Sequence, residues 1–270
     1  MLKKVLTLAF NSASRDKGKN CLINYVWINK EMDSGDRKAM CSVSFKHIDC
    51  AYKNARKYPD ARVKIWIDYR FLDERSKECL QNHHDMFAPK NVEFCDLNDI
   101  ESYRENETFK PGTTKDIWGR VDLARLIVLD HVLKNEPEPH VFYADFDVPD
   151  MKIEDARRLM DTHGLALGTT GAEHGPLGRI LLSDHDLLEN GYFAFKKSEN
   201  GAGFLKDLLA KTFERYGQDP NGYYAFRNLA REWAEKHAIG DKKNLAVRSV
   251  LYAMGYKIPD NRRYRRLNWN

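Results

Sequence analysis

The stretch His140 to Val148, His-Val-Phe-Tyr-Ala-Asp-Phe-Asp-Val, constrains this chain more than any other. It is an apolar and aromatic run bounded by Pro139 and Pro149, and a run of that kind reads as a buried strand. The run ends in two carboxylates with one residue between them. Side chains alternate across a strand, so Asp145 and Asp147 are expected to converge on one side of its carboxyl end, where open α/β sheets place their ligand crevices. Like charges at such a spacing repel unless a cation lies between them. A hard divalent ion with oxygen ligands, Mg²⁺ or Mn²⁺, offsets that repulsion and can bridge the carboxylates to a diphosphate. A solvated pair of aspartates at a strand end is the alternative reading.

The segments before this strand alternate strand with helix. Cys21 to Ile28 reads as a first strand with Trp27 near its carboxyl end, and Met40 to Tyr58 carries helical spacing and stops at Pro59. Ala61 to Tyr69 alternates as a second strand, Asp73 to Met86 is a capped polar helix, and Asn91 to Asp96 is a third strand. That order predicts a parallel sheet with right-handed crossovers. Residues 101 to 114 are polar and irregular and read as a loop of lid or acceptor-binding type. Thr114 to Asn135 has the strongest helical pattern in the chain, with Val121, Ala124, Leu126, Ile127, Leu129 and Leu133 on a wide apolar face. Asp122 and Arg125 lie three apart on a common side of it. Spacing alone favours a surface ion pair, but this helix feeds directly into the strand that carries Asp145 and Asp147.

Beyond that strand, Asp155 to Thr162 reads as helix, Leu165 to Thr169 as strand and His174 to Gly178 as a loop. Asn190 to Phe195 reads as a strand that starts with Asn190 and Gly191. Gly201 to Tyr216, Tyr223 to His237 and Leu245 to Met254 read as helices, and the last ten residues hold Arg262, Arg263, Arg265 and Arg266 among aromatics. Residues 1–20 are expected to be flexible, 21–260 to form a single domain and 261–270 to act as a mobile lid. Trp66, Trp118 and Trp233 are assigned to packing.

Composition narrows the class. Hydrophobic residues at 42% and charged residues at 31% describe a soluble globular protein with no run long enough to span a bilayer. Leu2 to Phe10 is apolar but too short, and too poor in a cleavage site, for a convincing signal peptide. Five cysteines without a C-x-x-C pair indicate neither a disulfide framework nor a zinc site, which suits reduced thiols in a cytosol. A net charge of +4 is too small to imply nucleic-acid binding, so nucleic acid is not an expected partner.

Three patches in order, Val26-Trp27-Ile28, Asp122-Leu-Ala-Arg125 and Tyr143-Ala-Asp145-Phe-Asp147, resemble the GT-A type nucleotide-sugar glycosyltransferases with a D-x-D motif. The branch resembled includes the sugar-binding D-x-D transferases and the catalytic domain of large bacterial glucosylating toxins. The resemblance covers roughly residues 22 to 30 and 115 to 195. It implies an α/β fold: a GT-A-like, Rossmann-type, mostly parallel sheet flanked by helices, with helical additions in the C-terminal half. It also implies metal-dependent transfer of a sugar from a UDP-sugar to an acceptor, with retention of configuration. By position, Trp27 would stack on the uracil and Tyr143 would back the nucleotide. Asp122 and Arg125 would hold donor-sugar hydroxyls, and Asn190 would line the sugar pocket. Asp145 would contact ribose or the metal through water, and Asp147 would bind Mn²⁺ or Mg²⁺ directly. Trp269 and Arg266 would close over the diphosphate. The toxins place a glutamate and a serine before their C-terminal tryptophan, where this chain has Tyr264 and Leu267, so Asn268 or Asn270 is the candidate for a further metal oxygen.

Two other classes share parts of the pattern. A phosphohydrolase of the haloacid dehalogenase type uses a strand ending in D-x-D followed by Val or Thr, as at Val148, but that motif normally opens its chain. A non-catalytic binder using the basic tail on nucleic acid would need no carboxylate pair. The expected place of action is the cytoplasm, or a host cell if the chain is a bacterial effector.

Overall fold

The computed structural model describes residues 18–28, 45–110, 117–148, 150–169, 188–215 and 251–253. The elements are β1 (Cys21–Trp27), α1 (Phe45–Lys57), β2 (Arg62–Ile67), α2 (Glu74–Phe87), β3 (Val92–Asp96), α3 (Glu101–Arg104) and α4 (Ile117–Asn135). There follow β4 (His140–Ala144), α5 (Ile153–His163), β5 (Leu165–Thr169), β6 (Leu188–Lys196), α6 (Glu199–Arg215) and β7 (Leu251–Ala253).

The strands form one sheet in the order β3-β2-β1-β4-β6-β5-β7. Strand β1 pairs parallel with β2 and with β4, β2 pairs parallel with β3, and β5 pairs parallel with β7. Strand β6 runs antiparallel to both β4 and β5, so the expected parallel sheet is mixed at this one strand.

Strand periodicity distributes the core onto two faces. Leu22 and Val26 of β1, Trp66 of β2, Val141 and Tyr143 of β4, and Phe193 and Phe195 of β6 point to one face, where α4 and α6 cover them with Leu123, Ile127, Phe204 and Leu208. Ile23 and Tyr25, Val63 and Ile65, Phe142 and Ala144, and Tyr192 and Ala194 point to the other, where α1 and α5 supply Ile48, Ala51, Ile153 and Met160. Both sheet faces are therefore buried, which is why β1 is apolar apart from Asn24, whose buried amide donates to the Phe142 carbonyl and accepts from Trp66. Helix α4 is buried around most of its circumference because it packs against β1, β4 and α6 at once.

Several expected boundaries shift. Helix α1 is described from Phe45 to Lys57, with residues 40–44 outside the described set. Helix α2 starts after Asp73, whose carboxylate accepts from Ser76 N at 2.7 Å, a side-chain N-cap. Residues 101–110 are not an open loop: Tyr103 and Phe109 are buried, their rings stack at 4.0 Å, and the Tyr103 hydroxyl donates to buried Asp68 at 2.8 Å. A lid role for these residues is thereby corrected, because their aromatics are committed to the core. Leu251 to Ala253, expected inside a helix, is strand β7, and its backbone pairs with the edge of β5.

Tyr223 to His237, His174 to Gly178, Leu2 to Phe10, the basic tail and the side chains of Trp118 and Trp233 lie outside the described residues. Trp66 is buried as expected, its indole N–H donating to Asn24 at 3.0 Å. No described helix is long and apolar enough to cross a membrane. Among the described residues Cys21, Cys50, Cys79 and Cys95 are free thiols.

Candidate active site at the carboxyl end of strand β4

The strand expected to run to Val148 ends at Ala144. Residues 145–148 form a turn in which the Val148 N–H donates to the Asp145 carbonyl at 3.1 Å. Strand alternation therefore does not govern both aspartates. It governs Asp145, whose N–H still pairs with the Gly191 carbonyl of β6 at 2.8 Å, so Asp145 follows Tyr143 onto the α4 face. Phe146 and Val148 turn into the α1-side core, and Asp147 between them is exposed.

On the α4 face the strand meets Arg125. Its guanidinium is 4% exposed, pairs with Asp122 one helical turn earlier, and lies 3.5 Å from an Asp145 carboxylate oxygen. It also sits over two rings, 5.5 Å from Tyr143 and 5.7 Å from Phe193. The Tyr143 hydroxyl donates a short hydrogen bond to Asp145, and burial, followed by the charge of Asp145, pushes that phenol well above its ordinary range. Tyr143 is thus held as a neutral donor. Taking a guanidinium out of water costs several kcal/mol unless carboxylates compensate, and the two that do come from different elements. The ion pair that spacing alone placed on the surface is buried, and Asp145 is its third member.

The cluster has an excess of negative charge. Asp122 and Asp145 against Arg125 give a formal −2 + 1 = −1. Asp147 stands close enough to α1 that its charge adds to burial in pushing the Cys50 thiol up to about 12. Trp27, half-buried, lies 5.6 Å from the rings of Phe146 and His47. The structure thus brings Trp27, Asp122, Arg125, Tyr143, Asp145 and Asp147 to one end of the sheet. Asn190 is adjacent in β6, its side chain outside the described set, as are Arg266, Asn268, Trp269 and Asn270.

As a cation site the fit is partial but chemically consistent. An exposed carboxylate, Asp147, two residues from one held by Tyr143 and Arg125 would suit a hard divalent ion that takes most of its oxygen ligands from elsewhere. No group of three or more Asp, Glu, His or Cys capable of holding a metal occurs among the described residues.

Two contributors were not singled out in the sequence. A Cβ placed on Gly191 would lie 2.8 Å from the Asp145 carboxylate, so only glycine leaves that carboxylate its position; a glycine inside a strand pattern is the signal for such close approach. Asn54, fully buried on α1, holds the backbone after Asp147. Its signal is a polar residue on the same helical face as Ile48, Ala51 and Ala55.

No protein-family model matches the chain, and no curated protein does. Solved structures do. A structure described as a transferase mutant aligns at TM-score 0.51 with 13% identity, covering 88% of this chain and 92% of its own. The bacterial N-acetylglucosamine transferase NleB aligns at TM-score 0.50 with 10% identity, covering 89% and 94%. At these identities the likeness concerns the fold, which is the mostly parallel, helix-flanked GT-A-like sheet that the resemblance implied.

Proposed function

We propose that this chain is a metal-dependent glycosyltransferase that moves a sugar from a UDP-sugar to an acceptor with retention of configuration. One observation carries the reading: a buried arginine joins the D-x-x-R helix to the D-x-D strand end, beside an exposed aspartate and a half-buried tryptophan, on a GT-A-like sheet. Two solved structures that share the fold belong to proteins named as transferases, one of them an N-acetylglucosamine transferase.

In this reading Trp27 stacks on the uracil, Asp122 and Arg125 receive donor-sugar hydroxyls, and Asn190 is a further residue of the sugar pocket. Tyr143 fixes Asp145, which would contact ribose or the metal through water, and Asp147 would hold the metal directly. When bound there, Mn²⁺ or Mg²⁺ neutralises the departing diphosphate. Arg266 and Trp269 then cover the diphosphate, with Asn268 or Asn270 as a further oxygen. The anomeric carbon loses its bond to the diphosphate oxygen, the acceptor oxygen bonds to that carbon from the same face, and the acceptor proton passes to the diphosphate. The phosphohydrolase alternative is disfavoured because its first aspartate must attack, whereas Asp145 is engaged by Tyr143 and Arg125.

The test is thermal stabilisation by UDP with Mn²⁺, followed by hydrolysis of UDP-glucose, UDP-GlcNAc and UDP-galactose. Asp147→Ala is expected to abolish the metal-dependent part of UDP binding and to leave the fold intact, since the side chain is exposed. Unchanged UDP affinity with metal present in that variant overturns the assignment.

A further inference from the structure

Asp147 is the exposed member of the cluster, yet the chain on either side of it is fixed. On its amino side Asp145 is paired to β6, and on its carboxyl side the chain is held by side chains from α1 and the residue after it, Asn54 being the one that reaches Val148. Asn54 donates through Nδ2 to the Val148 carbonyl at 2.8 Å and to the Tyr25 hydroxyl at 3.0 Å, and its Oδ1 accepts from the Met151 N–H at 3.1 Å. One amide thus closes a bracket around residues 148 to 151, a stretch in which Pro149 brings no N–H of its own. Just past the end of α1, the Tyr58 hydroxyl donates to the Met151 carbonyl at 2.6 Å and accepts from the Ile153 N–H at 3.3 Å. Lys57 reaches the same carbonyl at 2.7 Å and Asp150 at 2.5 Å.

We propose that Asn54, seconded by Tyr58, is a positioning residue that sets where Asp147 presents its carboxylate to a divalent cation. This rests on the proposed function for the identity of the ion. Asn54 does not touch the ligand in this proposal. It works through Val148 and Met151, whose backbone would otherwise exchange its hydrogen bonds with water and let the turn spread over several conformations before each binding event. A fully buried amide on an apolar helix face is costly unless every polar group is used, and here both donors and the acceptor reach the segment after the aspartates or the Tyr25 hydroxyl that lines it.

The experiment compares the full chain with Asn54→Ala and Tyr58→Phe. Mn²⁺ is titrated in the presence of UDP with free Mn²⁺ read by electron paramagnetic resonance, and amide hydrogen exchange is followed without ligand. Asn54→Ala is expected to weaken Mn²⁺ binding about tenfold and Tyr58→Phe about threefold. In both, amides of residues 145 to 151 should lose protection while β1 and β4 keep theirs. A merely structural residue would lower the melting temperature and move neither readout, so a folded Asn54→Ala with Mn²⁺ affinity within twofold of the parent overturns the proposal. Should Asn54→Ala fail to fold, Tyr58→Phe decides by the same two readouts, since it deletes one oxygen and keeps the ring. A parent chain that takes up no Mn²⁺ would refute the proposed function instead; unchanged exchange at 145 to 151 would then overturn the positioning role on its own.

Discussion

Gly191→Ala isolates the packing of the Asp145 carboxylate. A Cβ at this position stands 2.8 Å from Oδ2, 3.4 Å from Cγ and 3.6 Å from Cβ of Asp145, and ordinary contact begins at 3.4 Å, so the oxygen must retreat by 3.4 − 2.8 = 0.6 Å. The backbone does not object, because Gly191 is not among the positive-φ glycines. A free carboxylate would swing aside at little cost. Here the other oxygen, Oδ1, accepts from the Tyr143 hydroxyl and faces Arg125 at 3.5 Å, so a retreat of Oδ2 turns the rigid carboxylate and strains both interactions. A charge-assisted hydrogen bond is worth about 1.5–3 kcal/mol. Against it, replacing glycine by alanine in a strand recovers about 0.5–1 kcal/mol of backbone entropy. The net expectation is a destabilisation of about 1–2 kcal/mol. Activity should suffer more than stability, because misplacement of a site group by about 1 Å can cost on the order of 100-fold, and a shift of the size found here about 10-fold or more. Urea unfolding gives the first quantity and hydrolysis of the active UDP-sugar the second. A variant as stable as the parent and active within twofold would show that the carboxylate is not held where the packing places it.

Arg125→Lys keeps the charge but loses the planar fork that meets Asp122 and Asp145, leaving two partly buried carboxylates poorly compensated. A loss of about 3 kcal/mol is expected, the low end for breaking a buried pair because Asp145 is 35% exposed, and an unchanged denaturation midpoint would refute it. Stability should also fall with acid in two stages. His47, His83, His131, His140 and His163 all have pKa values lowered by burial from the usual 6.5, so below that value the unfolded chain binds more protons than the folded one and stability declines as pH drops. Burial raises Glu136, but hydrogen bonds from Lys64 and Arg62 outweigh it and the net shift is downward, while Lys196 lowers Asp161; their stabilisation, present above the ordinary 4.5 and 3.8, is lost only at lower pH. A melting temperature that is flat or rising between about pH 7 and pH 5.5 would contradict the histidine stage.

The chain's own pattern determined most of the frame. Largely apolar runs marked β1 and β4, the alternation from Ala61 to Tyr69 marked β2, the spacing of Val121 to Leu133 marked α4, and Asp73 marked the start of α2 through a local hydrogen bond. Of the candidate residues, the pair Asp145 and Asp147 stood out at a strand end, whereas Trp27, Asp122, Arg125 and Tyr143 were singled out only by the ordered resemblance of three patches, and the structure brings all six to one end of the sheet. What the sequence could not reveal depends on partners distant in the chain. Leu251 to Ala253 is too short for periodicity to separate helix from strand, and the edge of β5 decides it. The strand carrying the aspartates stops at Ala144 because the chain turns back on the Asp145 carbonyl, and Asn54 secures that turn from α1. Arg125 and Asp122 looked like a surface pair until β4 laid Tyr143 and Asp145 against them. Counting residues gives side-chain direction within one element; which charges are removed from water together is set only when two elements pack, and that decides whether an ion pair is ornament or site.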